Sequence, residues 1–131
     1  MKNRALFDQF MTAVTTRDGA GAKAMLHPDF TVVEAAGLPY AGTWRGYEGW
    51  RALNRAVRDA WADFHVETDE FLGETDATLV VRMTISGKAR LTGTPFKTGI
   101  LEIWRFEGGL IREVTPYYWD THHLADISRS V

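Results

Sequence analysis

The stretch from Pro95 to Asp120, PFKTGILEIWRFEGGLIREVTPYYWD, constrains the chain more than any other. Two apolar-rich runs flank Glu107-Gly108-Gly109, the pattern of a β-hairpin and its turn. Side chains on a strand alternate between faces. In the first arm Glu102, Trp104 and Phe106 therefore share one face, and Leu101, Ile103 and Arg105 the other. In the second arm Val114, Pro116, Tyr118 and Asp120 share a face, opposite Thr115, Tyr117 and Trp119. Each arm sets a carboxylate among aromatic or apolar side chains. A surface strand seldom needs that combination, whereas a cavity with a polar floor does.

The preceding chain supplies helices and further strands. Leu6, Phe7, Phe10, Met11 and Val14 recur at helical spacing and predict an amphipathic helix from about Arg4 to Thr16. Asp18 can cap a second, short helix over Gly19 to Leu26. His27-Pro28-Asp29 is expected to end it, because proline disfavours helix in the residue before it. Phe30 to Ala35 is a β-branched run and reads as a strand. Tyr40 to Gly46 is a loop or short edge strand carrying Trp44. A third helix is expected from about Tyr47 to Trp61, with Tyr47, Trp50, Leu53, Val57 and Trp61 as its apolar stripe and Arg51, Arg55 and Arg58 on its wet side. Strands follow over Phe64 to Leu72, Thr78 to Leu91, Thr98 to Phe106 and Leu110 to Trp119, then a short helix over Thr121 to Ile127. Helices first and a meander afterwards indicate the α+β class. The expected architecture is a curved antiparallel β-sheet wrapped over three N-terminal helices, a cone whose mouth is a natural pocket.

Composition narrows the partners. A chain of 131 residues with 45% hydrophobic content is enough for one core and one domain, residues 1–131. A formal net charge of −2 without a basic block argues against nucleic acid and anionic membranes. The absence of cysteine removes a disulfide framework, a thiol nucleophile and Cys-based metal sites. His27, His65, His122 and His123 have no metal spacing, and adjacent helical residues do not face one another. Neither a metal nor a cofactor is expected. The N-terminal MKNRALFDQF reaches charge too soon for a signal peptide, and no apolar run approaches transmembrane length, so the expected setting is cytoplasmic.

Several local patterns, in order, carry a family likeness. These are Asp29-Phe30-Thr31-Val32 after a short helix, Trp44-Arg45-Gly46-Tyr47-Glu48-Gly49 opening the third, Gly93-Thr94-Pro95-Phe96-Lys97-Thr98-Gly99 before a strand, and Gly109-Leu110-Ile111-Arg112-Glu113 running to Tyr118-Trp119-Asp120. Together they make the chain resemble the nuclear transport factor 2-like superfamily, and within it the SnoaL-like (polyketide cyclase-like) and ketosteroid isomerase-like proteins. The resemblance implies that Glu34 falls where ketosteroid isomerase-like proteins place a carboxylate general base. It implies that Glu102 falls where they place a protonated carboxylic acid in the oxyanion hole. Phe10 falls where they place a Tyr donor, and phenylalanine cannot donate. In SnoaL-like cyclases an acidic residue on the last strand serves as acid/base, and Asp120 is the nearest match.

Each candidate has a competing reading. Glu34, between Val33 and Ala35-Ala36, either points inward, where desolvation raises its pKa, or marks a solvated strand end or pairs with an Arg. Glu102 either lines the cavity or pairs with Arg82 or Arg112. Asp120 is a base or the cap of the last helix. Tyr118 donates to a substrate oxygen or is a core tyrosine with its hydroxyl satisfied. Trp44, in a loop, is expected at the pocket rim, and Phe10, Trp50, Met83, Trp104 and Pro116 are expected to line the pocket. The leading functional reading is an enzyme of proton-transfer type, an isomerase, cyclase or dehydratase acting on an apolar carbonyl compound. The alternatives are a non-catalytic binder of a small hydrophobic ligand and an accessory interaction module. Leu101, Ile103, Tyr117 and Trp119 on one face suit a homodimer through the outer sheet.

Overall fold

The computed structural model describes residues 2–129. Its elements are α1 (Lys2–Thr15), α2 (Gly19–Ala24), β1 (Leu26–Glu34), β2 (Gly42–Arg45), α3 (Gly46–Ala60), β3 (Trp61–Glu74), β4 (Thr78–Ala89), β5 (Pro95–Glu107), β6 (Leu110–Tyr118) and α4 (Thr121–Arg129). The strands form one six-stranded sheet in the order β2-β1-β6-β5-β4-β3.

The β5–β6 hairpin is as the sequence implied. Glu107 pairs with Leu110 across a two-residue turn, with Gly108 at φ 59° and Gly109 at φ 78°. Left-handed dihedrals at both central residues match the strand twist, and glycine adopts them without a Cβ clash. The register sets Ile100 opposite Tyr118, Glu102 opposite Pro116 and Trp104 opposite Val114 on the inner face. Leu101 opposite Tyr117 lies on the outer face.

The sheet departs from an all-antiparallel one at a single pairing. β1 runs parallel to β6, because the chain passes through α3 and a meander before β6 returns beside it. The second helix is also shorter than expected. Leu26 leaves it for β1, where Ile111 N–H donates to the Met25 carbonyl at 2.9 Å. His27-Pro28-Asp29 lies within β1 rather than at a helix end. The β1–β6 ladder skips from Leu26 to Thr31, so Pro28 withholds no ladder donor there. Trp61 likewise begins β3 instead of closing α3, and it is fully buried.

The helices close the concave face. Phe7 of α1 meets the Trp104 ring edge-on at 4.7 Å, and Phe10 meets Trp50 of α3 at 5.5 Å and Trp104 at 5.9 Å. Aromatic edges placed on ring faces are the favoured geometry. This packing props α1 and α3 apart over the sheet and leaves a space between them. The outer sheet face instead carries ion pairs, Arg82 with Glu70 at 2.9 Å and Arg105 with Glu113 at 3.7 Å.

Candidate active site

A cavity of about 220 Å³ opens between α1, α3 and the concave face of β1, β6, β5, β4 and β3. Its walls are apolar, and two carboxyl groups, Glu34 and Glu102, face into it.

Glu34 is the last residue of β1 and is buried at 9% exposure. Its position follows from alternation: Phe30, Val32 and Glu34 point inward, and strand order places β1 beside β6, which carries Tyr118. Tyr118 donates its hydroxyl to Glu34 Oε1 at 3.1 Å. Burial raises the Glu34 pKa from about 4.5 to about 7; the Tyr118 hydrogen bond opposes the rise, and the Glu102 charge adds to it.

Behind Tyr118 stands a relay of neutral donors. Tyr40 Oη lies 3.4 Å from Tyr118 Oη, and Trp61 Nε1 donates to Tyr40 Oη at 3.0 Å. An indole N–H only donates, and an ionised carboxylate only accepts. With Glu34 ionised, proton direction is therefore fixed from Trp61 to Tyr40 to Tyr118 to Glu34. Each tyrosine has one proton to give. Tyr118 commits its proton to Glu34 and has none left for a ligand oxygen. Burial raises the pKa of both tyrosines, which keeps them as neutral donors.

Glu102 has a different environment. Trp104 Nε1 donates to its Oε1 at 3.0 Å. Burial raises its pKa, with the Trp104 bond working against the rise. Among the described residues no cation pairs with it. Arg82 pairs across β4–β5 with Leu101, hence on the outer face, and its guanidinium meets Glu70 and Asp69. Arg112 meets Glu107 and the Asp29 carbonyl. The Arg partner considered for Glu102 is thus absent, for reasons of register. A protonated Glu102 accepts the indole on Oε1 and can donate from Oε2 into the cavity.

Phe10, Trp50, Met83, Trp104 and Pro116 line the cavity. Two expected residues do not. Asp120 is exposed and accepts the His123 N–H at 2.9 Å, capping α4, so it lies outside the cavity lining. Its strand ends at Tyr118, and the two-residue step that would have turned Asp120 inward is lost as the chain leaves the sheet. Trp44 is also outside the lining; its Nε1 donates to the Tyr40 carbonyl at 3.0 Å and so fastens the loop that carries Tyr40. The edge strand β2 faces α3 rather than the cavity.

Sequence reasoning missed Tyr40 and Asn54. Tyr40 follows a Gly-Leu-Pro turn, and nothing local marks it, since its role arises from contacts 21 and 78 positions away. Asn54 did carry a signal: it stands four residues after Trp50 and three before Val57, an amide on an otherwise apolar stripe. Among the described residues no cluster of His, Asp or Glu could hold a metal ion.

The fold has known counterparts. A family model described as a SnoaL-like domain matches residues 7–114. A nuclear transport factor 2-like protein of unknown function from Burkholderia pseudomallei is 26% identical, covers 99% of each chain and superposes with a TM-score of 0.84. TerC, co-crystallized with polyporic acid, is 21% identical over 99% of this chain and 100% of its own, with a TM-score of 0.82. A protein from Catenulispora acidiphila with a ketosteroid isomerase-like fold, in complex with trimethylamine, is 17% identical over 86% of this chain and 84% of its own, with a TM-score of 0.69. The latter two likenesses concern the fold alone. No curated protein matches the chain. Among the described residues no helix is long and apolar enough to cross a membrane.

Proposed function

The chain belongs to the SnoaL-like domain family, and from that premise we propose that it is an enzyme of proton-transfer type acting on a small apolar carbonyl compound held in the cavity. Glu34 is the general base. It removes a proton from the carbon next to the carbonyl, and the C–H electron pair moves onto the carbonyl oxygen as an enolate. Repulsion between the two carboxylates disfavours ionising both, so in the reactive form Glu34 is ionised and one proton stays on Glu102, which donates a hydrogen bond from Oε2 to that oxygen, replacing the hydroxyl that Phe10 lacks. Glu34 then returns the proton to the same or a neighbouring carbon. Isomerisation, aldol-type cyclisation and dehydration share this first step.

The observation that carries the reading is Glu34 itself: a carboxylate buried in an apolar cavity, held among the described residues by a tyrosine hydroxyl alone, with its pKa raised to about 7. A base poised near neutral pH is half ionised and still strong enough to accept a carbon-bound proton. Structural carboxylates are usually paired with cations, and among the described residues no cation pairs with this one.

The test is proton exchange on 2-tetralone in deuterium oxide, followed by proton NMR. Catalysed loss of the C1 proton signal is expected with the native chain and not with Glu34→Gln. Saturable binding of the ketone without exchange would leave a non-catalytic binding protein, the second reading.

Exposure of Leu101 at 40% and Tyr117 at 57% on the outer sheet, and of Trp119 at 89% just past the end of β6, supports a homodimer through that face. Sedimentation at micromolar concentration should give twice the chain mass, and a monomer would remove this part of the proposal.

A further inference from the structure

A second concavity lies on the other side of the seam between α1 and α3. It shares Val14, Trp50 and Asn54 with the cavity, so those three residues border both. Its chemistry is opposite. Arg17, Arg51, Arg55 and Arg58 line it, with Asp18 as the one carboxylate in its lining. All four arginines are exposed, in a chain whose formal net charge is −2.

These arginines are poorly neutralised. Asp18 Oδ1 already accepts the Gly21 N–H at 2.9 Å as the cap of α2. Arg51 reaches Glu48 only at 4.0 Å, an exposed contact of the weakest kind. Among the described residues no carboxylate lies within ion-pair distance of Arg17, Arg55 or Arg58. A solvated helix face often carries arginines, but alternating with carboxylates that offset them. Here four gather on one flank, and Glu48 and Asp59, the carboxylates of α3, lie outside that lining.

The spacing on α3 explains how the two chemistries meet. Trp50 and Val57 face the cavity, while Arg51 and Arg58 stand three before and four after Asn54 and so flank it on one side. Asn54 thus lies at the boundary between the apolar and the basic stripes. Its Nδ2 donates to the Trp50 carbonyl at 2.8 Å, which uses one of its two amide hydrogens and fixes the amide at the seam. The second hydrogen is available to a ligand oxygen.

We propose that the ligand of this cavity is amphipathic, with an apolar carbonyl-bearing body inside and a carboxylate or similar oxyanion at the seam, held by Arg51, Arg55 and Arg58 with Asn54 as the polar step between. The proposal rests on the reading of the cavity as a ligand site and adds a substrate class to it. The apolar body supplies burial, and the arginine flank supplies orientation, placing the reacting end against Glu34 and Glu102 at the far wall. A neutral ligand of the same shape gains only the first.

The test compares two fluorescent probes with the same ring system, 8-anilino-1-naphthalenesulfonate and the neutral N-phenyl-1-naphthylamine. Both are titrated into the native chain and into Arg58→Gln, Arg51→Gln/Arg58→Gln and, as a control on the outer sheet face, Arg105→Gln. Glutamine keeps helix propensity, so the α3 variants should melt with the native chain. The native chain should prefer the anionic probe at low salt. That preference should fall about fivefold in Arg58→Gln, the upper end for one exposed ion pair, and by roughly tenfold in the double variant. Binding of the neutral probe should not change, each probe should displace the other, and 1 M salt should abolish the preference in the native chain, where the screening length is about 3 Å. An unchanged preference in the double variant, an equal loss in Arg105→Gln, or failure of the probes to displace one another overturns the proposal. If the neutral probe does not bind the native chain at all, the cavity reading itself fails, and the anion site with it.

Discussion

The two faces of the β5–β6 hairpin treat the same kind of residue in opposite ways. On the outer face Glu113 meets Arg105 across the strands, and next to it on β4 Arg82 meets Glu70. On the inner face Glu102 meets an indole N–H, and across the cavity Glu34 meets a phenol. Outside, each carboxylate has a cation and open water. Inside, each has one neutral donor and little water. The outer pairs are interchangeable surface chemistry, worth little individually. The inner pair carries a standing cost of desolvation, which a purely structural design would have removed with a cation or an apolar side chain.

The largest effect that separates the faces should come from Glu34→Gln. Exchange on 2-tetralone should fall by roughly 10²–10⁴-fold, the range for a lost general base. Equal loss in Glu113→Gln would erase the distinction. Next is Glu102→Leu, which removes the donor to the enolate oxygen and should slow exchange by about 10²–10³-fold. The same variant should melt close to the native temperature, because removing a buried carboxyl offsets the loss of the acceptor for the Trp104 Nε1–H. A rate within twofold of native would show that Glu102 does not touch the reacting oxygen.

Stability should depend on pH through Glu34 with a definite sign. Its folded pKa, about 7, lies above the ordinary 4.5. The folded state therefore holds the proton more tightly, and stability falls as pH rises from about 4.5 through 7. The fully developed penalty is about 3 kcal/mol for a shift of this size. Glu34→Gln should thus raise the melting temperature at pH 8 by several degrees and leave it unchanged at pH 4. A stabilisation that is equal at both values would mean that Glu34 is not perturbed in the fold. Tyr118→Phe removes the bond that favours ionised Glu34, so the rising limb of the exchange rate should move to higher pH. At the small end, Glu113→Gln should change stability by less than about 1 kcal/mol.

The sequence carried the parts of this comparison that depend on local rules. Alternation along PFKTGILEIWRFEGGLIREVTPYYWD put Glu102, Trp104, Pro116 and Tyr118 on the inner face and Leu101 and Tyr117 outside, and the register agrees. The amphipathic spacing of Phe7 and Phe10 and of Trp50 and Leu53 gave the helices that roof the cavity. What alternation cannot give is the point at which a strand stops. Asp120 has the parity of Tyr118, yet β6 ends between them and Asp120 becomes a cap. Pro28 reads as a terminator by its own chemistry, and only the gap in the β1–β6 ladder makes it acceptable within a strand. The Trp61–Tyr40–Tyr118 relay joins three separate elements and has no signature in any one of them.

The central claim is that burial without cations raises the pKa of both inner carboxyls. Carbon-13 NMR titration of the Glu34 and Glu102 carboxyl carbons tests it most directly. Glu34 should titrate with a midpoint near 7, and Glu102 with a midpoint above the ordinary 4.5. Midpoints at or below 4.5 for both would mean that water or a cation reaches them, and the inner face would then be no different from the outer one.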